Sequence, residues 1–131
     1  MRNLKEYITE NNFFKNLGVG LQPQIKEWLD KNGIVNYTIN NDLTIDVKGD
    51  VYLYRYPETE LPEYIQFKNV SGDFIIEYSN LTSLKGCPKE VGGDFYCCRC
   101  NKKFTQIDVQ NNCTVRGKIV IFSNLIPKRY E

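Results

Sequence analysis

Apolar residues recur along this chain first at helical and then at strand spacing. Ile25, Trp28 and Leu29 share one helical face, and Pro23 suits a first helical position. Gly33 followed by Ile34 reads as a Schellman-type stop, so a helix is predicted over 23–32. Upstream, Leu4, Tyr7 and Ile8, with Phe14 and Leu17 beyond, predict a short amphipathic helix ended by Gly18 and Gly20. Residues 35–39 and 43–47 then alternate around Asn40-Asn41-Asp42. That pattern predicts a hairpin, because Asn and Asp tolerate turn backbones.

From Val47 a longer period takes over. A Val-x-Gly-(Asp/Lys)-apolar pentad stands at Val47, Val70, Val91 and Val115, at intervals of 23, 21 and 24 residues. Such near-equal intervals point to a solenoid. Counting each Val as zero, position 4 holds Val51, Phe74, Phe95 and Ile119, and position 6 holds Leu53, Ile76, Cys97 and Ile121. These positions predict one inward-facing strand per coil. Gly at position 2 suits a crowded or left-handed turn. An Asn follows at Asn80, Asn101 and Asn124, with Pro57 in the first coil, and then comes an apolar-x-x-apolar step: Leu81 and Leu84, Phe104 and Ile107. Pro62 and Pro88 block a long helix before the next pentad. The expected fold is therefore α+β. Residues 1–46 form a helical and hairpin cap on a short parallel β-solenoid of about four coils over 47–131, the last one truncated. The two parts form one compact unit with a single small parallel sheet.

Strand, Asn and a Leu-x-x-Leu return resemble a short leucine-rich-repeat coil. LTSLKGCPKEVGGDFYC (residues 81–97), with the lead-in over 25–47, is similar to the degenerate leucine-rich-like repeats of phage and other bacterial mobile elements. The resemblance covers roughly the last hundred residues. It implies a leucine-rich-repeat-like fold and a phage or prophage origin, and it carries no catalytic residue across.

Composition narrows the chemistry. An apolar content of 41% and a charged content of 25% fit an ordinary globular chain, and a formal charge of +1 supplies no broad field for nucleic acid. No apolar run reaches membrane-spanning length, and the stretch MRNLKEYITENN has no apolar signal core, so a cytoplasmic location is expected, which the resemblance implies is that of a bacterial host cell. Histidine is absent, which removes the commonest general base and the Ser-His and Cys-His pairs. Glu58, Glu60 and Glu63 read as a solvated loop, and Gly92-Gly93 as repeat punctuation without a phosphate-loop Lys-Ser/Thr. No enzyme activity and no cofactor are expected.

Five cysteines without a secretion signal argue against disulfides. Cys87, Cys97, Cys100 and Cys113 are an alternative zinc set. Against it, Cys97 occupies a core position of its coil, where a reduced Cys serves as a small apolar residue.

What remains is the strand side opposite the core. Position 5 reads Tyr52, Ile75, Tyr96 and Val120; position 7 reads Tyr54, Glu77, Cys98 and Phe122; Arg55, Tyr78 and Arg99 follow at position 8. Exposed strand faces are usually polar, and Tyr and Arg anchor interfaces. The face of Tyr52, Tyr54, Arg55, Ile75, Glu77, Tyr78, Tyr96, Arg99, Val120 and Phe122 is expected to bind a host protein or ribonucleoprotein complex, to pair in a homodimer, or to lie beneath the amino-terminal helix. The expected function is a non-enzymatic interaction module. In the sharpest form implied by the resemblance, it inhibits a host defence or nuclease system, as an anti-CRISPR does. The alternative is a nucleic-acid-binding or regulatory protein using the same Tyr/Arg face, with bases stacked on Tyr. Membrane association is not expected, and the near-zero net charge argues against direct nucleic-acid binding.

Overall fold

The computed structural model describes residues 17–122, and side-chain surroundings from Gly20 onward. The helix expected around Leu4–Ile8, and Asn124, lie outside the described residues. Helix α1 spans Leu17–Lys31, so it begins earlier than predicted and carries Pro23 in its interior. Gly18 and Gly20 therefore lie within the helix and do not end an earlier one. The helix tolerates all three breakers because Leu21, Ile25 and Leu29 lie on one face and are buried in the core. Its end is the predicted Schellman stop. Gly33 takes φ 74°, and the Ile34 and Gly33 amides donate to Leu29 O at 2.9 Å and Asp30 O at 3.0 Å.

Strands β1 (Tyr37–Ile39) and β2 (Ile45–Val47) form the antiparallel hairpin. Its left-handed residue is Leu43, at φ 71°, held by its buried side chain rather than by local preference. Strand β2 pairs in parallel with β4 (Phe67–Val70), so hairpin and solenoid join without a linker.

Each coil contributes two strands, not the one expected. The pentad Val ends or lies in a short strand of a first sheet: β2, β4, β6 (Glu90–Val91) and β8 (Thr114–Val115), flanked by β1. The chain then turns a corner and enters a second parallel sheet of β3 (Val51–Tyr54), β5 (Phe74–Glu77), β7 (Phe95–Cys98) and β9 (Ile119–Phe122). Val51, Phe74, Phe95 and Ile119 stand in one register, as predicted. The first three are fully buried, whereas Ile119, on the last described rung, is half-buried.

The corner explains the pentad. The Oδ1 of Asp50, Asp73 and Asp94 accepts the position-3 amide of the next coil, on Asp73, Asp94 and Lys118, at 2.7–2.8 Å. These carboxylates fill the space that a Cβ on Gly72, Gly93 or Gly117 would need. Of the four pentad glycines, Gly49 alone, with φ 125°, occupies the left-handed region; the later three are glycine because of crowding.

Between the sheets, Phe67, Phe74 and Phe95 form a row with centroids 5.6 and 5.4 Å apart, the first pair edge-on and the second tilted, and Trp28 of α1 meets Phe67 and Tyr56 edge-on. In the second coil, Leu81 and Leu84 are buried, and the Asn80 amide donates to Pro57 O at 3.0 Å. Asn101 in turn donates to the Asn80 side-chain oxygen, continuing a side-chain ladder.

The third return departs from the Leu-x-x-Leu expectation. It forms helix α2 (Gln106–Asn112), closed by a reciprocal capping box between Thr105 and Asp108. Phe104 and Val109 face inward, while Ile107 is 61% exposed. No helix among the described residues is long and apolar enough to cross a membrane.

Candidate functional site

Because alternate residues of β3, β5, β7 and β9 fill the core, the intervening ones share the outer side of the second sheet. The structure brings all ten predicted residues to this side or its margin. Tyr52, Tyr54, Tyr78 and Phe122 are each 43–52% exposed, Arg55 is exposed, and Ile75, Glu77, Tyr96, Arg99 and Val120 are half-buried.

Tyr52 Oη donates to Glu77 Oε1 at 2.7 Å, and Arg99 Nη1 donates to Glu77 Oε2 at 2.7 Å, so one carboxylate joins two strands' neighbours. The Arg55 guanidinium lies 5.4 and 5.2 Å from the ring centroids of Tyr54 and Tyr78, and that of Arg99 lies 5.5 Å from Tyr78. Tyr78 thus lies between two cations. Tyr96 Oη donates to Asp94 Oδ2 at 3.2 Å. The hydrogen bonds to Glu77 and Asp94 raise the phenol pKa values of Tyr52 and Tyr96.

The backbone fixes this arrangement. Arg55, Tyr78 and Arg99 take φ 57°, 55° and 54°, all left-handed, at the same place in three successive coils. Their amides donate across the sheet to Glu77 O, Cys98 O and Phe122 O. A left-handed conformation costs a residue with a Cβ about 1–2 kcal/mol.

The sequence reading needs two changes here. Cys98, expected to face outward, is only 7% exposed, because Glu77 and Phe122 flank it in register with longer side chains. Asp94, which entered the sequence reading only as the polar position of the pentad, also holds Tyr96; the repeated Asp was the available signal. The alternative zinc set is not assembled. Cys87, Cys97, Cys100 and Cys113 are buried free thiols, and no three His, Cys, Asp or Glu side chains among the described residues form a metal-holding group. Burial raises all four thiol pKa values, that of Cys113 to about 12. Such groups are poor nucleophiles at neutral pH.

Fold and face together define a short two-sheeted parallel β-solenoid with a helix-and-hairpin cap and a Tyr/Arg-bearing outer sheet. No family model, curated protein or solved structure matches the chain.

Proposed function

We propose that this chain is a non-enzymatic protein-binding module that works through the outer side of the second sheet. The observation that carries the reading is the left-handed column of Arg55, Tyr78 and Arg99. Glycine or asparagine occupies that conformation at little cost, so long side chains there are explained by what they do outside the coil. They are held apart from the core, fixed by rings and a carboxylate, and surrounded by exposed tyrosines. Preorganised aromatic and arginine side chains are what interface anchors require.

Four strands span only about 14–15 Å across their three gaps. A standard interface of roughly 800 Å² per side therefore extends beyond the strands to the surrounding loops. Glu77 and Arg99 cancel within the face, and the Asp50, Asp73 and Asp94 corner beside it repels a polyanion, which favours protein over nucleic acid. In its sharpest form, supported by the mobile-element resemblance, the module inhibits a bacterial defence or nuclease complex.

Tyr54→Ala combined with Tyr96→Ala tests the reading. We expect retained melting temperature and lost capture of a bacterial partner, with wild-type capture persisting at moderate salt. A large fall in melting temperature would show that these tyrosines serve the fold. Capture that collapses with salt would point to phosphate binding.

A further inference from the structure

Arg55 and Arg99 occupy equivalent positions but differ in pairing. Arg99 is neutralised by Glu77 at 2.7 Å, whereas Arg55 has no carboxylate partner among the described residues and is exposed. Two tyrosine rings and a left-handed backbone nevertheless hold it in place. A guanidinium fixed before binding loses little freedom when it pairs, and its planar fork matches a carboxylate through two parallel hydrogen bonds.

From this geometry we infer that Arg55 anchors a single carboxylate, an Asp or Glu side chain or a chain terminus, on an otherwise uncharged protein segment lying across Tyr52 and Tyr54. The inference rests on the protein-binding reading above and specifies the partner's chemistry. Charge limits the choice. Arg55 is the one unmatched cation in the Arg55–Tyr78–Arg99 column, so a segment with one acid finds its counterpart. A run of phosphates would find no second unmatched cation in that column and would also meet the aspartate corner. The partner's apolar atoms then have Tyr52 and Tyr54 to cover, each 49% exposed, with ring centroids 5.8 Å apart.

The test selects displayed random dodecapeptides on the wild-type protein and measures the winners, as free synthetic peptides, by fluorescence anisotropy. We expect one acidic position to recur among winners that lose binding to Tyr54→Ala/Tyr96→Ala. Arg55→Gly and Arg55→Lys should each weaken those peptides at least tenfold, and replacing the peptide's acid by its amide should weaken them similarly. The lysine variant separates fork geometry from charge, and the glycine variant fits the left-handed backbone, so its fold is retained.

Winners that need the tyrosines but carry no acid and ignore Arg55 would overturn the carboxylate anchor and leave the face intact. Winners indifferent to both, or none at all, would overturn both readings. Tighter binding of a fluorescein-labelled dodecathymidine than of any selected peptide, lost with salt, would assign Arg55 to phosphate instead.

Discussion

Replacing Gly93 by Ala should unlock the corner between the second and third coils. Gly93 is not in the left-handed region, so alanine meets no backbone strain, only crowding. Its Cβ would collide with Asp73 Oδ1 and stand 2.9 Å from Gly72 O. The carboxylate must swing away from the Asp94 amide that it now accepts at 2.8 Å. Losing a hydrogen bond to a charged group costs about 1.5–3 kcal/mol, and the backbone contact adds about 1–3 kcal/mol of overpacking. The stiffer unfolded chain returns about 0.4–1 kcal/mol. The expected net loss is about 2–5 kcal/mol, a large part of the roughly 5–15 kcal/mol typical of a domain.

Urea unfolding followed by circular dichroism reads this loss as a lower midpoint at unchanged slope. In an Asp73→Ala background the same substitution should cost at least about 1 kcal/mol less, because the displaced carboxylate is already gone. A Gly93→Ala loss below about 0.5 kcal/mol, or strict additivity with Asp73→Ala, would refute the coupling of carboxylate and glycine.

Phe74→Ala removes the middle ring of a fully buried row of three and should cost about 3–5 kcal/mol in the same assay; a loss under about 1 kcal/mol would contradict the packing. Cys97→Val exchanges one small buried group for another and should change stability by less than about 1.5 kcal/mol, checked by thermal melting. The buried thiols also predict alkaline sensitivity. Cys113 stays protonated in the fold until about pH 12, while an unfolded thiol ionises near pH 8.5. Its contribution is therefore complete below the unfolded value and declines as pH rises from there towards 12, and Cys113→Ala should flatten that decline in urea midpoints measured across pH.

The second sheet was legible because its strands are four residues long and alternate cleanly, as in Val51, Leu53 against Tyr52, Tyr54. The first sheet was not, because β6 and β8 have two residues each and a lone Val shows no period. Pro23 and the two early glycines masked the start of α1, since local breakers were weighed without the burial of Leu21 that overrides them. In the third coil, Thr105 and Asp108 carried a capping signal, but Phe104 and Ile107 were matched to the neighbouring return instead. The outer face was readable from alternation. Its locked geometry was not, because left-handed Arg and Tyr residues leave no mark in a propensity argument.

The aspartate corner also makes surface size countable. Every Asp carboxylate accepts one amide from the next coil, and Lys118, which has no carboxylate, stands at the last such position. A duplicated coil of 21–24 residues placed ahead of Lys118 would arrive with its own glycine, aspartate and strand. It would lengthen the outer sheet by one strand spacing, about 4.8 Å, and leave the neighbouring interiors unchanged. The outer surface can therefore grow or shrink in whole rows, one outward-facing pair of side chains at a time.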